Sequence, residues 1–161
     1  MIKVLDKAIQ MEKNASAFYS AAASKVNSRE GKKMFDWLSK FEQSHLMKLE
    51  KEKKVLLRHD SMAGYKVENK SGDTGLSEAD ESSVIKPETS DEEILKRAIY
   101  SERKAYSFYQ RKMTATENPS VRKLLGEFSK EEDKHIRILN EQLKSIRTDR
   151  LWKEFTELKD L

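Results

Sequence analysis

The chain has 161 residues, enough for one domain with a sizeable core, and 37% of them are charged. Mean hydropathy is −0.83; five glycines, two prolines and no cysteine give the composition of long amphipathic helices and exclude a disulfide framework, a thiolate zinc site and a Cys-ligated iron centre. The net charge of +4 comes from interleaved signs, 32 basic against 28 acidic residues, without the one-sided basic stripe that nucleic-acid binding requires. The start, Met1-Ile2-Lys3-Val4-Leu5-Asp6-Lys7, carries charges where a leader needs an apolar run, and no segment reaches membrane-spanning length. A soluble cytoplasmic protein, bound to neither membrane nor nucleic acid, is the expectation.

The first predicted helix runs from about Ile2 to Val26, with Leu5, Ala8, Glu12, Ala15, Tyr19, Ala22 and Val26 at three- and four-residue steps. A polar break at Asn27-Ser28 offers an N-cap for the second helix, which carries Phe35, Leu38, Glu42, His45 and Leu49 and ends near Leu57. The basic run Lys48 to Arg58 falls at that C-terminal end, where cations complement the helix dipole. From 58 to 90 the periodicity fails among Gly64, Gly72, Gly75 and Pro87, predicting a long crossover with a short helical turn near Leu76–Ser82. Ser90-Asp91-Glu92-Glu93 has the pattern of a capping box and opens the third helix, with Leu95, Ala98, Glu102, Ala105, Tyr109 and Met113 on its stripe. Asn118-Pro119 places an N-cap before a first-turn proline and opens the fourth, with Leu125, Phe128, Glu132, His135, Leu139 and Ile146. Leu151 to Leu161 is predicted as a short terminal helix docking Leu151, Trp152, Phe155 and Leu158 on the rest. The organisation is thus a single domain made of a helix pair over 1–57, a crossover over 58–90, a second pair over 91–147 and a C-terminal segment over 148–161.

The two pairs repeat each other at an offset of ninety residues. Leu5 matches Leu95, Ala8 Ala98, Phe18-Tyr19 Phe108-Tyr109, Ser39-Lys40 Ser129-Lys130 and Leu49 Leu139. The same offset relates Glu12, Glu42 and His45 to Glu102, Glu132 and His135. These six lie on the apolar stripes, whereas ordinary surface Glu and His would fall off them. Ionised carboxylates buried in a bundle core cost several kcal/mol each unless paired or metal-bound, and two divalent cations would balance four of them. Positions i and i+3 share a helix face, so Glu42 and His45 can reach one ion, as can Glu132 and His135, with Glu12 and Glu102 closing the other side. Oxygen and imidazole donors without thiolate suit iron or manganese, and zinc less specifically.

One Glu from each of two helices and Glu-x-x-His from each of the other two is the pattern of ferritin-like di-iron carboxylate proteins, which the chain resembles over nearly its whole length. Within that superfamily the even thirty-residue spacing and long middle crossover look most like the rubrerythrin-type domain. The resemblance implies an all-α, ferritin-like four-helix bundle of two helical hairpins, and two metal ions, iron first and manganese or zinc as substitutes. It also implies bridging by Glu42 and Glu132, terminal ligation by Glu12, Glu102, His45 and His135, and association as a homodimer. The activity it implies is oxidoreduction of peroxide or dioxygen, with ferroxidase or iron handling, or a non-catalytic metal-binding interaction module, as the alternatives. Two departures bear on this. Rubrerythrins usually add a four-cysteine rubredoxin module, so a cysteine-free chain would need an external electron donor such as a rubredoxin-like protein. They also carry a further Glu, linked to peroxide chemistry, where this chain has Ala105, matched by Ala15 in the first half.

Tyr19 and Tyr109 stand seven residues after Glu12 and Glu102, two turns along the same face. Either each phenol bonds a ligand carboxylate, or each is a core tyrosine satisfied elsewhere. Glu131 adjoins Glu132, but it is rotated about a hundred degrees around the helix and its repeat partner is Phe41, so exposure to solvent is expected. His59, in the crossover without a repeat partner, is expected at the surface; Trp37, Trp152 and the six methionines are read as packing residues.

Overall fold

Helices form where the apolar stripes run: α1 (Ile2–Lys25), α2 (Arg29–Met62), α3 (Asp91–Ala115) and α4 (Pro119–Asp149). The computed structural model describes residues 1–62 and 85–156, and the suggested turn at Leu76–Ser82 and the docking of Leu158 lie outside them. Short polar side chains set the helix starts by taking up backbone N–H groups that have no partner within the helix. Ser28 Oγ accepts from Gly31 N–H at 3.3 Å, Ser90 Oγ from Glu93 N–H at 3.2 Å, and Asn118 Oδ1 from Val121 N–H at 3.0 Å, just ahead of Pro119. α1 ends at Val26, whose extended backbone (φ −67°, ψ 142°) turns the chain into α2.

Two boundaries differ from the sequence reading. α2 continues past Leu57 to Met62, because residues 51–58 are nearly all good helix formers and the next glycine after Gly31 comes only at Gly64. His59 therefore stands exposed on a helix and not in the crossover. At the other end, residues 151–156 form no helix. Arg150 takes a left-handed conformation (φ 56°, ψ 24°) that caps α4 and turns the chain back along it. Side chains, not a helical ladder, then satisfy the backbone of this strap: Gln142 accepts from Lys153 N–H at 2.9 Å and donates to its carbonyl at 3.1 Å, and Glu30 accepts from Phe155 N–H at 3.0 Å. Trp152 and Phe155 dock as expected, whereas Leu151 is 68% exposed.

The antiparallel helices pack as two hairpins, α1 with α2 and α3 with α4. The buried apolar side chains separate into two clusters. One, around Tyr19, Phe35, Leu38, Leu95 and Leu139, joins the C-terminal half of α1, the start of α2, the start of α3 and the later part of α4. The other, around Leu5, Leu49, Tyr109, Leu125 and Phe128, occupies the opposite end. The offset of ninety exchanges them, with Leu5 and Leu49 at one end and Leu95 and Leu139 at the other. The six candidate ligands lie in the layer between. Among the described residues no helix is long and apolar enough to cross a membrane.

The strap closes the first cluster. Trp152 meets Phe35 edge-on at 5.8 Å and donates its indole N–H to Asp91 at 3.0 Å. The ring can sit there because Gly31 has no Cβ, which would stand 3.0 Å from the indole carbons. Trp152→Ala should lower the unfolding free energy by about 2–3 kcal/mol in urea denaturation. Gly31→Ala should destabilise the wild-type chain, yet stabilise the Trp152→Ala chain by up to about 1 kcal/mol, the helix-propensity gain that the indole otherwise cancels.

Candidate metal centre

Each of the four helices contributes to one buried cluster. Glu12 comes from α1, Glu42 and His45 from α2, Glu102 from α3, and Glu132 and His135 from α4; none is more than 3% exposed. His45 Nδ1 lies 3.1 Å from Glu42 Oε2 and 3.4 Å from both Glu12 Oε2 and Glu132 Oε1. His135 Nδ1 lies 3.1 Å from Glu42 Oε1, 3.2 Å from Glu132 Oε2 and 3.7 Å from Glu102 Oε1. Glu42 and Glu132 thus each turn one oxygen toward one imidazole and the other oxygen toward the second. Two four-residue groups result, Glu12, Glu42, His45, Glu132 and Glu42, Glu102, Glu132, His135, each with donor atoms within 4.8 Å of one another, and both could hold a metal ion.

The donor atoms fit that role. Both oxygens of Glu42 and Oε1 of Glu132 are buried without a hydrogen-bond partner, and unpaired buried carboxylate oxygens are costly in a low-dielectric core. Shared cations would supply what the protein does not. Hard carboxylate oxygens with one imidazole per ion match iron or manganese.

The tyrosines resolve the alternative left open by the sequence. Tyr19 donates to Glu102 and Tyr109 donates to Glu12, so each phenol bonds the carboxylate of the opposite hairpin rather than the Glu on its own helix. The phenols are braced from outside, with Tyr19 stacked on Phe35 at 6.0 Å and Tyr109 edge-on to Phe128 at 5.6 Å. One turn before Glu42 and Glu132, buried serines link the helices within each hairpin. Ser39 Oγ donates to the Ser16 carbonyl at 3.0 Å, and Ser129 Oγ accepts from Gln110 at 2.6 Å.

Glu131 corrects the sequence reading. It is not a solvent-exposed side chain: it reaches from α4 to α2 and accepts from His45 Nε2 at 2.7 Å, with its side chain only 23% exposed. The hundred-degree rotation does turn it away from the carboxylates, but toward the flank of the neighbouring helix rather than toward water. The broken repeat, an acid at 131 where the first half has Phe41, was the feature that marked it. Ala15 and Ala105 are both half-buried beside the apolar clusters and add no donor.

Charge crowding sets the ionisation of the cluster. Burial and then the neighbouring Glu42 push Glu12 from the ordinary 4.5 up to about 8, and burial with Glu42 and Glu102 pushes Glu132 well up. Burial also works on Glu42, but the charge of His135, with His45 also 3.1 Å away, outweighs it and holds that carboxyl well below the usual range. Burial alone would lower both imidazoles; the carboxylates around them override it, and His45 and His135 are raised well above 6.5. Burial and the adjacent Glu102 and Glu12 carboxylates push the Tyr19 and Tyr109 phenols well above 10.0, so both remain donors.

Raised folded-state values mean that the metal-free fold binds more protons than the unfolded chain, so its stability falls as pH rises through the shifted range. For Glu12 that window runs from 4.5 to about 8, and the raised histidines extend it upward from 6.5. The lowered Glu42 has given its full contribution by pH 4.5 and does not act in this window. The melting temperature of metal-free protein should therefore drop steadily between pH 5 and 8. Saturating divalent metal should flatten the profile, because cations replace the protons; parallel thermal melts measure both.

A protein-family model described as rubrerythrin matches residues 3–70 and 93–159. No curated protein and no solved structure matches the chain. The family match covers both helix pairs, including all six residues that the bundle brings together, and the chain belongs to the rubrerythrin family.

Proposed function

We propose that this protein binds two iron ions per chain and acts as an oxidoreductase on peroxide or dioxygen, drawing electrons from an external donor such as a rubredoxin-like protein. The observation that carries the reading is the sharing of Glu42 and Glu132 between two otherwise separate donor groups. Glu12 and His45 would complete one metal position, and Glu102 and His135 the other. Iron bound there supplies one-electron redox steps and a Lewis-acidic place for an oxygen species.

The chain's own residues support this chemistry in three ways. Apolar clusters above and below the layer exclude bulk water, which strengthens electrostatic interactions inside. Tyr19 and Tyr109 hold Glu102 and Glu12 by hydrogen bonds, limiting their swing. The high proton affinity of both phenols keeps each hydrogen available to its carboxylate. These 161 residues hold no cysteine, so a rubredoxin-type centre would have to come from elsewhere.

One observation favours a second reading. Ala105 supplies no donor at the place where the family resemblance puts a Glu tied to peroxide chemistry, and this supports ferrous oxidation or iron handling without peroxide turnover.

Anaerobic titration with ferrous iron should saturate at about two ions per chain, and the Glu42→Ala, Glu132→Ala double variant should lose both. Iron-loaded protein supplied with a chemical reductant should remove hydrogen peroxide over many turnovers. Fast ferrous oxidation with no peroxide turnover would select the iron-handling reading. A rise in melting temperature with metal and no reaction with either oxidant would leave only a metal-stabilised binding module.

A further inference from the structure

Among the places where the repeat that relates the two metal positions is broken, one puts different side chains against the two imidazoles. Each candidate ligand and each bracing tyrosine has a counterpart ninety residues away, but position 131 is Glu and position 41 is Phe. The two side chains occupy equivalent places. Glu131 meets His45, accepting from Nε2 at 2.7 Å, and Phe41 meets His135, ring to ring at 4.8 Å and edge-on at 87°. His135 Nε2 is consequently buried with no hydrogen-bond partner.

We infer that the two metal positions are inequivalent and fill in order, the His45 position first, with Glu131 as the positioning residue responsible. The inference rests on the di-metal reading above. A carboxylate can only accept, so Glu131 keeps a hydrogen of His45 on Nε2, and Nδ1, which faces Glu12, Glu42 and Glu132, is the nitrogen left to bind an ion. His45 is thereby held in its metal-binding orientation before any ion arrives. The negative charge behind the ring also concentrates electron density on Nδ1, and carboxylate–histidine–metal arrangements of this kind change metal affinity by about 10–100-fold. His135 has an aromatic edge in place of that acceptor and neither advantage.

The surroundings hold Glu131 in position. Its other oxygen lies 4.0 Å from Lys48 Nζ, and Lys48 also sits over Phe128 at 5.6 Å, the ring that stacks on His45 at 4.1 Å. Lys48 is 47% exposed, so solvent screens its ion pair and it subtracts little from the effect of Glu131 on His45.

The test is titration of full-length, metal-free protein with zinc, a diamagnetic probe, followed through the ring-nitrogen NMR resonances of ¹⁵N-histidine and by competition with a chelator. His45 should shift during the first equivalent and His135 during the second, with affinities separated by about 10–100-fold. Glu131→Leu should reduce that separation to a few-fold, and Glu131→Gln, which keeps an acceptor without the charge, should fall between. Simultaneous shifts of the two histidines, a leading shift of His135, or wild-type separation in both variants would overturn the inference while leaving the di-metal reading standing. Binding of fewer than two zinc ions would overturn both.

Discussion

Four carboxylates and two imidazoles share the middle layer of a bundle that is otherwise apolar, each almost completely removed from water. Like charges at this density repel strongly in a low-dielectric interior, and the rest of the structure depends on how that repulsion is contained. Protons do part of the work: Glu12 and Glu132 are driven toward their neutral forms and both histidines toward their charged forms. Protons leave Glu42 with two oxygens that make no hydrogen bond. Cations are the natural complement of such a set, since they neutralise and coordinate at once.

The helices answer the constraint with symmetry. Because α1 and α3 run in opposite directions, the second half of each helix lies beside the buried Glu of the other. The tyrosine two turns past each Glu therefore bonds the Glu of the opposite hairpin. The hairpins, whose backbones approach each other less closely than do the helices within each pair, are thus tied together through the polar layer as well as through the apolar clusters on either side. Buried serines on α2 and α4 then fix each hairpin internally, one turn from the Glu42 and Glu132 carboxylates. Symmetry ends at Glu131 and Phe41: His45 has a carboxylate acceptor at Nε2, whereas His135 has none. A duplicated scaffold can in this way present two ions with the same ligand types and different surroundings.

Much of this was legible in the residues. The ninety-residue repeat, the apolar stripes and the Glu-x-x-His spacing placed all six clustered side chains, because helical periodicity alone puts i and i+3 on one face. The N-caps at Ser90 and Asn118 were equally local and appear where the residue types put them. The C-terminal strap was misread for a physical reason: Leu151, Trp152 and Phe155 have helical spacing, but the competing partners, Gln142 and Glu30, lie outside the segment and satisfy its backbone in a non-helical form. Glu131 was misread likewise, since its angle around α4 says where it points relative to its own helix and nothing about which neighbour stands there.

By itself, then, the sequence determined the four helices and the six buried Glu and His side chains, both consequences of periodicity within single helices and of one internal repeat. Only the tertiary structure decided which phenol meets which carboxylate, that Glu42 and Glu132 each face both imidazoles, and that His45 and His135 differ behind the ring. Those pairings depend on the direction and rotation of one helix against another, and no pattern along a single chain segment encodes an angle between two.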